Sequence, residues 1–168
     1  SPTVDQSTAH DPDFKRKLEE LAEKAKVIAY VGRVSREKGM ELLVESYKIL
    51  KRKTKQKIIL LVAGDGVLRS LVINEAKKDP CILYLGWLSR DKLKCVYLLA
   101  DAIIIPTVVP EAYPHVALEA IEFNRPVIGF ASGGLPQIID TPSKGKVVKG
   151  VDSQTLADAI LSLIEKDW

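Results

Sequence analysis

At 168 residues, with 46% hydrophobic and 28% charged content, the chain holds enough apolar material for one domain with a sizeable core, which excludes a disordered or fibrous protein. Its longest apolar runs, Ile58 to Ala63 and Ala102 to Ile105, are far shorter than a membrane-spanning helix, and no charged-then-apolar leader opens it. The protein is therefore expected to be soluble, unsecreted and cytoplasmic, and its net charge of +3 is too modest to demand a polyanionic partner.

The basic excess is concentrated between Lys48 and Lys57. It reads as a solvated helix end, where cations complement the helix dipole. A peripheral membrane or nucleic-acid patch is the sharper alternative, but no aromatic residues interleave the run, so no nucleic-acid partner is expected. Cys81 and Cys95 lack metal-ligand spacing and histidine companions. They are expected to be buried free thiols, Cys81 lying in an apolar run.

In chain order, residues 1–12 are polar, with two prolines, and read as a linker. Asp13 is expected to cap a helix whose apolar face is Phe14, Leu18, Leu21, Ala22 and Ala25. Strands are expected at Val27 to Val31, Ile58 to Ala63, Ile82 to Leu85, Ala102 to Ile105, Pro126 to Phe130 and Gly145 to Val148. Helices fall between them: Met40 to Leu50, Leu68 to Lys77, Asp91 to Leu99 behind the cap Ser89, one from Pro114 to about Phe123, a short one from Leu135 to Ile139, and a last from Thr155 to Ile164. Near-continuous apolar strands alternating with helices predict a single Rossmann-like, doubly wound α/β domain, its mostly parallel sheet of about six strands covered on both faces.

Ligands of such sheets bind beyond the carboxyl ends of the strands, and the unusual residues follow strands here. Arg33 and Lys38, in a glycine-bounded loop, could hold phosphate oxygens; both could equally be plain surface cations. Neither the Gly-x-x-x-x-Gly-Lys-Ser/Thr nor the Gly-x-Gly-x-x-Gly signature is present. Glu111 lies on a loop and Glu119 inside the helix that starts near Pro114. A carboxylate five residues into a helix sits roughly 7 Å beyond its amide-rich start, about the span from a phosphate to a ribose. Glu119 thus suits ribose hydroxyls better than a general acid/base role, although a solvated helix position is its plainer reading. His115 is a weaker candidate for a contact with sugar or phosphate.

The set Gly32-Arg-x4-Lys-Gly39, Gly64-Asp-Gly66, Gly86-Trp87, Asp101 to Pro106, Glu111-x7-Glu119 and Gly133-Gly134 resembles, in order and spacing, the retaining nucleotide-sugar glycosyltransferases of family 4, or group 1. The resemblance implies the C-terminal donor half of a GT-B fold, over residues 13–168, with residues 1–12 a remnant of the interdomain segment and an N-terminal acceptor domain as the missing partner. It assigns Arg33 and Lys38 to the diphosphate, Glu111 to the transferred sugar, Glu119 to the ribose, and backbone amides over Tyr113, Pro114, His115 and Val116 to sugar and phosphate. The base would lie near Trp87 and Leu88. It implies no cofactor and no essential metal, and an isolated domain that transfers little.

Two positions depart from the family pattern: Ala112 replaces a glycine and Gln137 a glutamate. They leave room for a rival reading, a non-catalytic nucleotide-binding or interaction module. A phosphorylase or starch-synthase relative is a third, without a recognisable cofactor lysine.

Overall fold

The computed structural model describes residues 12–166. Six strands form one parallel sheet: β1 (Lys26–Val31), β2 (Ile58–Ala63), β3 (Ile82–Gly86), β4 (Ala102–Ile105), β5 (Val127–Phe130) and β6 (Gly145–Val148), in the order β3-β2-β1-β4-β5-β6. The connecting helices are α1 (Pro12–Ala22), α2 (Met40–Lys53), α3 (Arg69–Lys78), α4 (Arg90–Leu99), α5 (His115–Glu122), α6 (Leu135–Ile138) and α7 (Ser153–Ile164). The doubly wound architecture expected from the sequence is what forms. Strand order reverses between β1 and β4, so the loops after these strands splay apart and leave a crevice.

Alternation along the strands divides the core in two. Ile28, Tyr30, Leu60, Val62, Ile104, Ile128 and Phe130 face α2 and α7, where they meet Met40, Leu43, Tyr47, Leu50, Leu156 and Ile160. Val27, Ala29, Ile59, Leu61, Ile103 and Val127 face the other way, against Leu18 of α1, Val96 and Tyr97 of α4, and Ala117 and Ala120 of α5. The strands read as unbroken apolar runs because both faces are covered. Buried polar groups find partners within this frame. The Tyr47 hydroxyl donates to the Ile58 carbonyl at 2.7 Å, and the Ser46 hydroxyl reaches the carbonyls of Leu42 and Ser153, linking α2 to α7.

Several boundaries differ from expectation. Helix α1 begins at Pro12, whose fixed φ and missing N–H suit a first turn, so Asp13 lies inside that turn instead of capping it. Of the linker assigned to residues 1–12, residues 1–11 lie outside the described residues. Leu21 is exposed; Leu18 is the buried anchor of α1. Helix α7 starts at Ser153, two residues early, because the Asp152 carboxylate accepts the Thr155 N–H at 2.7 Å. Ser89 caps α4 as expected, accepting from the Lys92 amide at 3.4 Å. Cys81 and Cys95 are free thiols, and both are half-buried rather than buried.

The basic run is not simply solvated. Lys48, Lys51 and Lys53 bond Glu75, Asp79 and Asp158 at 2.9, 2.7 and 2.7 Å, tying α2 to the end of α3 and to α7. Among the described residues no helix is long and apolar enough to cross a membrane.

Candidate functional site

The loops after β1 and β4 are strapped together before any side chain is considered. The Val108 amide donates to the Glu37 carbonyl at 3.1 Å. Gly39, at φ +80°, lies so close to Pro106 that a Cβ there would fall 1.8 Å from the Pro106 carbonyl oxygen. Only glycine fits this crossing. Lys38, immediately before it, is thereby turned toward the β4 loop, where its ammonium pairs with the Glu111 carboxylate, 73 positions away in sequence.

A cleft of about 180 Å³ lies between these loops, lined by Tyr30, Gly32, Arg33, Lys38, Thr107, Glu111, Pro114, His115 and Val116 among others. A second pocket of about 350 Å³ adjoins it, sharing Val31, Gly32 and Arg33 and extending over Gly64, Asp65, Trp87, Leu88 and Leu93. The structure therefore brings together Arg33, Lys38, Glu111, Pro114, His115 and Val116, with Trp87 and Leu88 next door. It does not bring in Tyr113, which is 75% exposed, and Glu119 lines neither pocket. Glu119 is half-buried one turn further into α5.

Arg33 is held loosely, 3.6 Å from Glu37 with two-thirds of its side chain exposed. The N-terminus of α5 is open in the same direction. Pro114 is its cap residue, one position short of the expected first-turn place, and offers no side-chain acceptor. The amides of Ala117 and Leu118 return to the Pro114 carbonyl, which leaves those of His115 and Val116 available to an anion. Among the described residues, no group of three His, Cys, Asp or Glu side chains gathers as a metal cluster.

Sequence reasoning missed three supports. Tyr30 reads as a strand core residue, yet its hydroxyl donates to the Arg33 carbonyl and fixes the start of the cationic loop. Burial, then the Glu111 and Glu37 carboxylates, push its phenol far above the usual range, so it stays a donor. Asp65 accepts the Gly66 amide at 2.8 Å and the Tyr84 hydroxyl at 3.1 Å; these bonds hold its carboxyl below the usual range. The Gly133-Gly134 turn backs the Glu111 loop. Gly134 donates to the Glu111 carbonyl at 2.8 Å, and a Cβ on Gly133 would sit 2.2 Å from the same oxygen.

The two departures from the family pattern are accommodated without backbone strain. Among the described non-glycine residues only Lys24 and Asn124 have positive φ, so Ala112 needs no glycine-like backbone. Gln137 is exposed on α6.

A family model described as "Glycosyl transferases group 1" matches residues 11–167. A D-inositol 3-phosphate glycosyltransferase of Corynebacterium kroppenstedtii is 32% identical over 152 residues, 85% of this chain and 34% of the relative. A lipopolysaccharide 1,2-N-acetylglucosaminetransferase of Salmonella typhimurium is 33% identical, over 76% of this chain and 36% of its own. The chain thus spans about a third of the length of these curated relatives. Among solved structures, Anabaena HepE in complex with UDP and glucose superposes with a TM-score of 0.75 at 20% identity, over 93% of this chain and 44% of that one. The C-terminal domain of a group 1 family protein from Francisella tularensis, LpcC, superposes at 0.73 and 22% identity, over 90% of this chain and 83% of that one.

Proposed function

The chain belongs to the group 1 glycosyltransferases, and from that membership we propose that it binds a nucleotide-diphospho-sugar donor in the paired pockets at the carboxyl edge of its sheet. The observation that carries this reading is the convergence of Arg33, Lys38, Glu111 and the open start of α5 on one cleft. The UDP and glucose bound by the HepE relative support it as a likeness of fold.

In this reading Arg33 and Lys38, with the His115 and Val116 amides, take the diphosphate. As the glycosidic bond to the nucleotide breaks, negative charge accumulates on the leaving diphosphate, and preformed cations and N–H dipoles stabilise it there. Lys38 exchanges the Glu111 carboxylate for a phosphate oxygen, and Glu111 turns to the hydroxyls of the sugar. The ribose bridges toward Glu119, and the base lies over Trp87 and Leu88, against backbone groups. Transfer proceeds with retention at the anomeric carbon and requires no essential metal, because the cations are the protein's own. The facing wall of the cleft comes from an N-terminal acceptor domain, as in other GT-B enzymes; closure excludes water. Without that wall the domain binds donor weakly and transfers little.

Calorimetric titration of the 168-residue chain with UDP, ADP and GDP tests the assignment. Lys38→Ala and Arg33→Ala are each expected to weaken the nucleotide that binds by roughly tenfold or more, as loss of a charge-assisted bond does. Unchanged affinity in both variants would sink the proposal.

A further inference from the structure

The Tyr97 hydroxyl is a polar atom with no obvious business where it lies. Tyr97 is 1% exposed, and among the described residues its buried hydroxyl meets no hydrogen-bond partner at good distance and angle. A phenylalanine would fill the same space without leaving a donor unsatisfied. The ring stacks on Phe123, with centroids 5.2 Å apart. Phe123 ends the turn that begins at Glu119, and its amide donates to the Glu119 carbonyl. The residue that meets the ring of Tyr97 and the residue that carries the carboxylate therefore share one face of α5. Glu119 is also the carboxylate that bears on the phenol: after burial, its charge and then a loose hydrogen-bonding contact with it raise the Tyr97 pKa, while Arg90 opposes them weakly.

The location is specific. Glu119 lies one helical turn in from His115, which lines the first pocket, and Tyr97 one turn in from Leu93, which lines the second. Each residue thus lies one turn behind a lining residue of one of the two adjoining pockets. A group joining a diphosphate in one pocket to a base in the other would pass between those linings.

We propose that Tyr97 is a positioning residue for Glu119: its hydroxyl holds one carboxylate oxygen when donor binds, so that the other is aimed at the ribose hydroxyls. This rests on the donor-site reading above. In the ligand-free chain the phenol makes no hydrogen bond of good distance and angle among the described residues. A rotation of the Glu119 side chain toward the junction satisfies it, so the cost of burying the hydroxyl is recovered only when the carboxylate is in its working orientation.

The test compares each ribonucleoside diphosphate with its 2′-deoxy counterpart (UDP, ADP and GDP against 2′-deoxy-UDP, 2′-deoxy-ADP and 2′-deoxy-GDP) by calorimetry on the whole chain. The wild type is expected to prefer the ribose form by about tenfold, the usual value of one bond to a charged acceptor. Tyr97→Phe should cut that preference to about twofold, with affinity for the deoxy form unchanged, since only the aim of the carboxylate is lost. Glu119→Gln should lose the preference, and adding Tyr97→Phe to it should cost nothing more. Thermal unfolding of Tyr97→Phe should be unchanged or higher, because the substitution removes an unbonded buried hydroxyl.

If Tyr97→Phe weakens both ligand forms equally, or keeps the full ribose preference while Glu119→Gln loses it, the positioning role is overturned and the donor site stands. A wild type that binds nucleotide with no ribose preference overturns the Glu119 assignment itself.

Discussion

The chain carries two groups of cations, at opposite ends of one sheet. Lys48, Lys51 and Lys53 lie at the end of α2, near the amino ends of the strands, and each bonds an acid on another element. Arg33 and Lys38 lie at the carboxyl edge, in a loop shaped by Tyr30 and Gly39. The first group joins helices whose positions the core already sets. The second faces a cleft, and its ion-pair partner Glu111 sits on a loop that is itself held by Gly134. The lesson is that what surrounds a cation, more than its number in the sequence, separates structural charge from charge available to a ligand.

The sharpest way to break the contrast is through the backbone. Gly39→Ala would drive a Cβ into the Pro106 carbonyl at a residue with φ +80°, and should cost about 3 kcal/mol of stability, since neither clashing partner is a flexible side chain. Urea denaturation measures it. A loss near zero would mean that the two loops are not braced against each other.

How much of this was legible beforehand follows from the kind of signal each feature leaves. Strands buried on both faces write themselves as apolar runs, so Ile58 to Ala63 could be placed closely. Apolar spacing puts the start of α7 two residues late because a local side-chain bond to Asp152 decides it. Glu111 and Lys38 could each be named, but their pairing across 73 positions leaves no periodic trace. Tyr30 and Tyr97 were invisible as site residues: both are core residues by pattern, and only the direction of a hydroxyl distinguishes them. The Gly133-Gly134 pair is legible as part of the motif set; that it supports Glu111 is not.

A second prediction sharpens the contrast at the cleft itself. Lys38 and Glu111 are both about a third exposed or less, so their mutual attraction is screened yet not negligible. Glu111→Gln removes the competing anion and leaves Lys38 free for phosphate. Affinity for the nucleoside diphosphate should rise about fivefold, equivalent to about 1 kcal/mol, even as sugar recognition is lost. Weaker nucleotide binding would instead mean that the ion pair organises Lys38 for its ligand.

The smallest effect belongs to the other end. Lys51→Ala removes one bond to Asp79, between side chains 41% and 21% exposed, and should cost under about 1 kcal/mol, with nucleotide affinity untouched. Lys53→Ala should be smaller still and should reveal itself mainly through pH. The bond from Lys53 holds the Asp158 carboxyl below its usual range. A carboxyl with a lowered folded-state pKa stabilises the fold above its unfolded value, about 3.9, and that contribution disappears as pH falls through the lowered value. Wild type and Lys53→Ala should therefore differ slightly at neutral pH, and their thermal midpoints should converge in acid. Midpoints that stay apart after Asp158 is protonated would show that Lys53 supports α7 through its aliphatic stem and not through its charge.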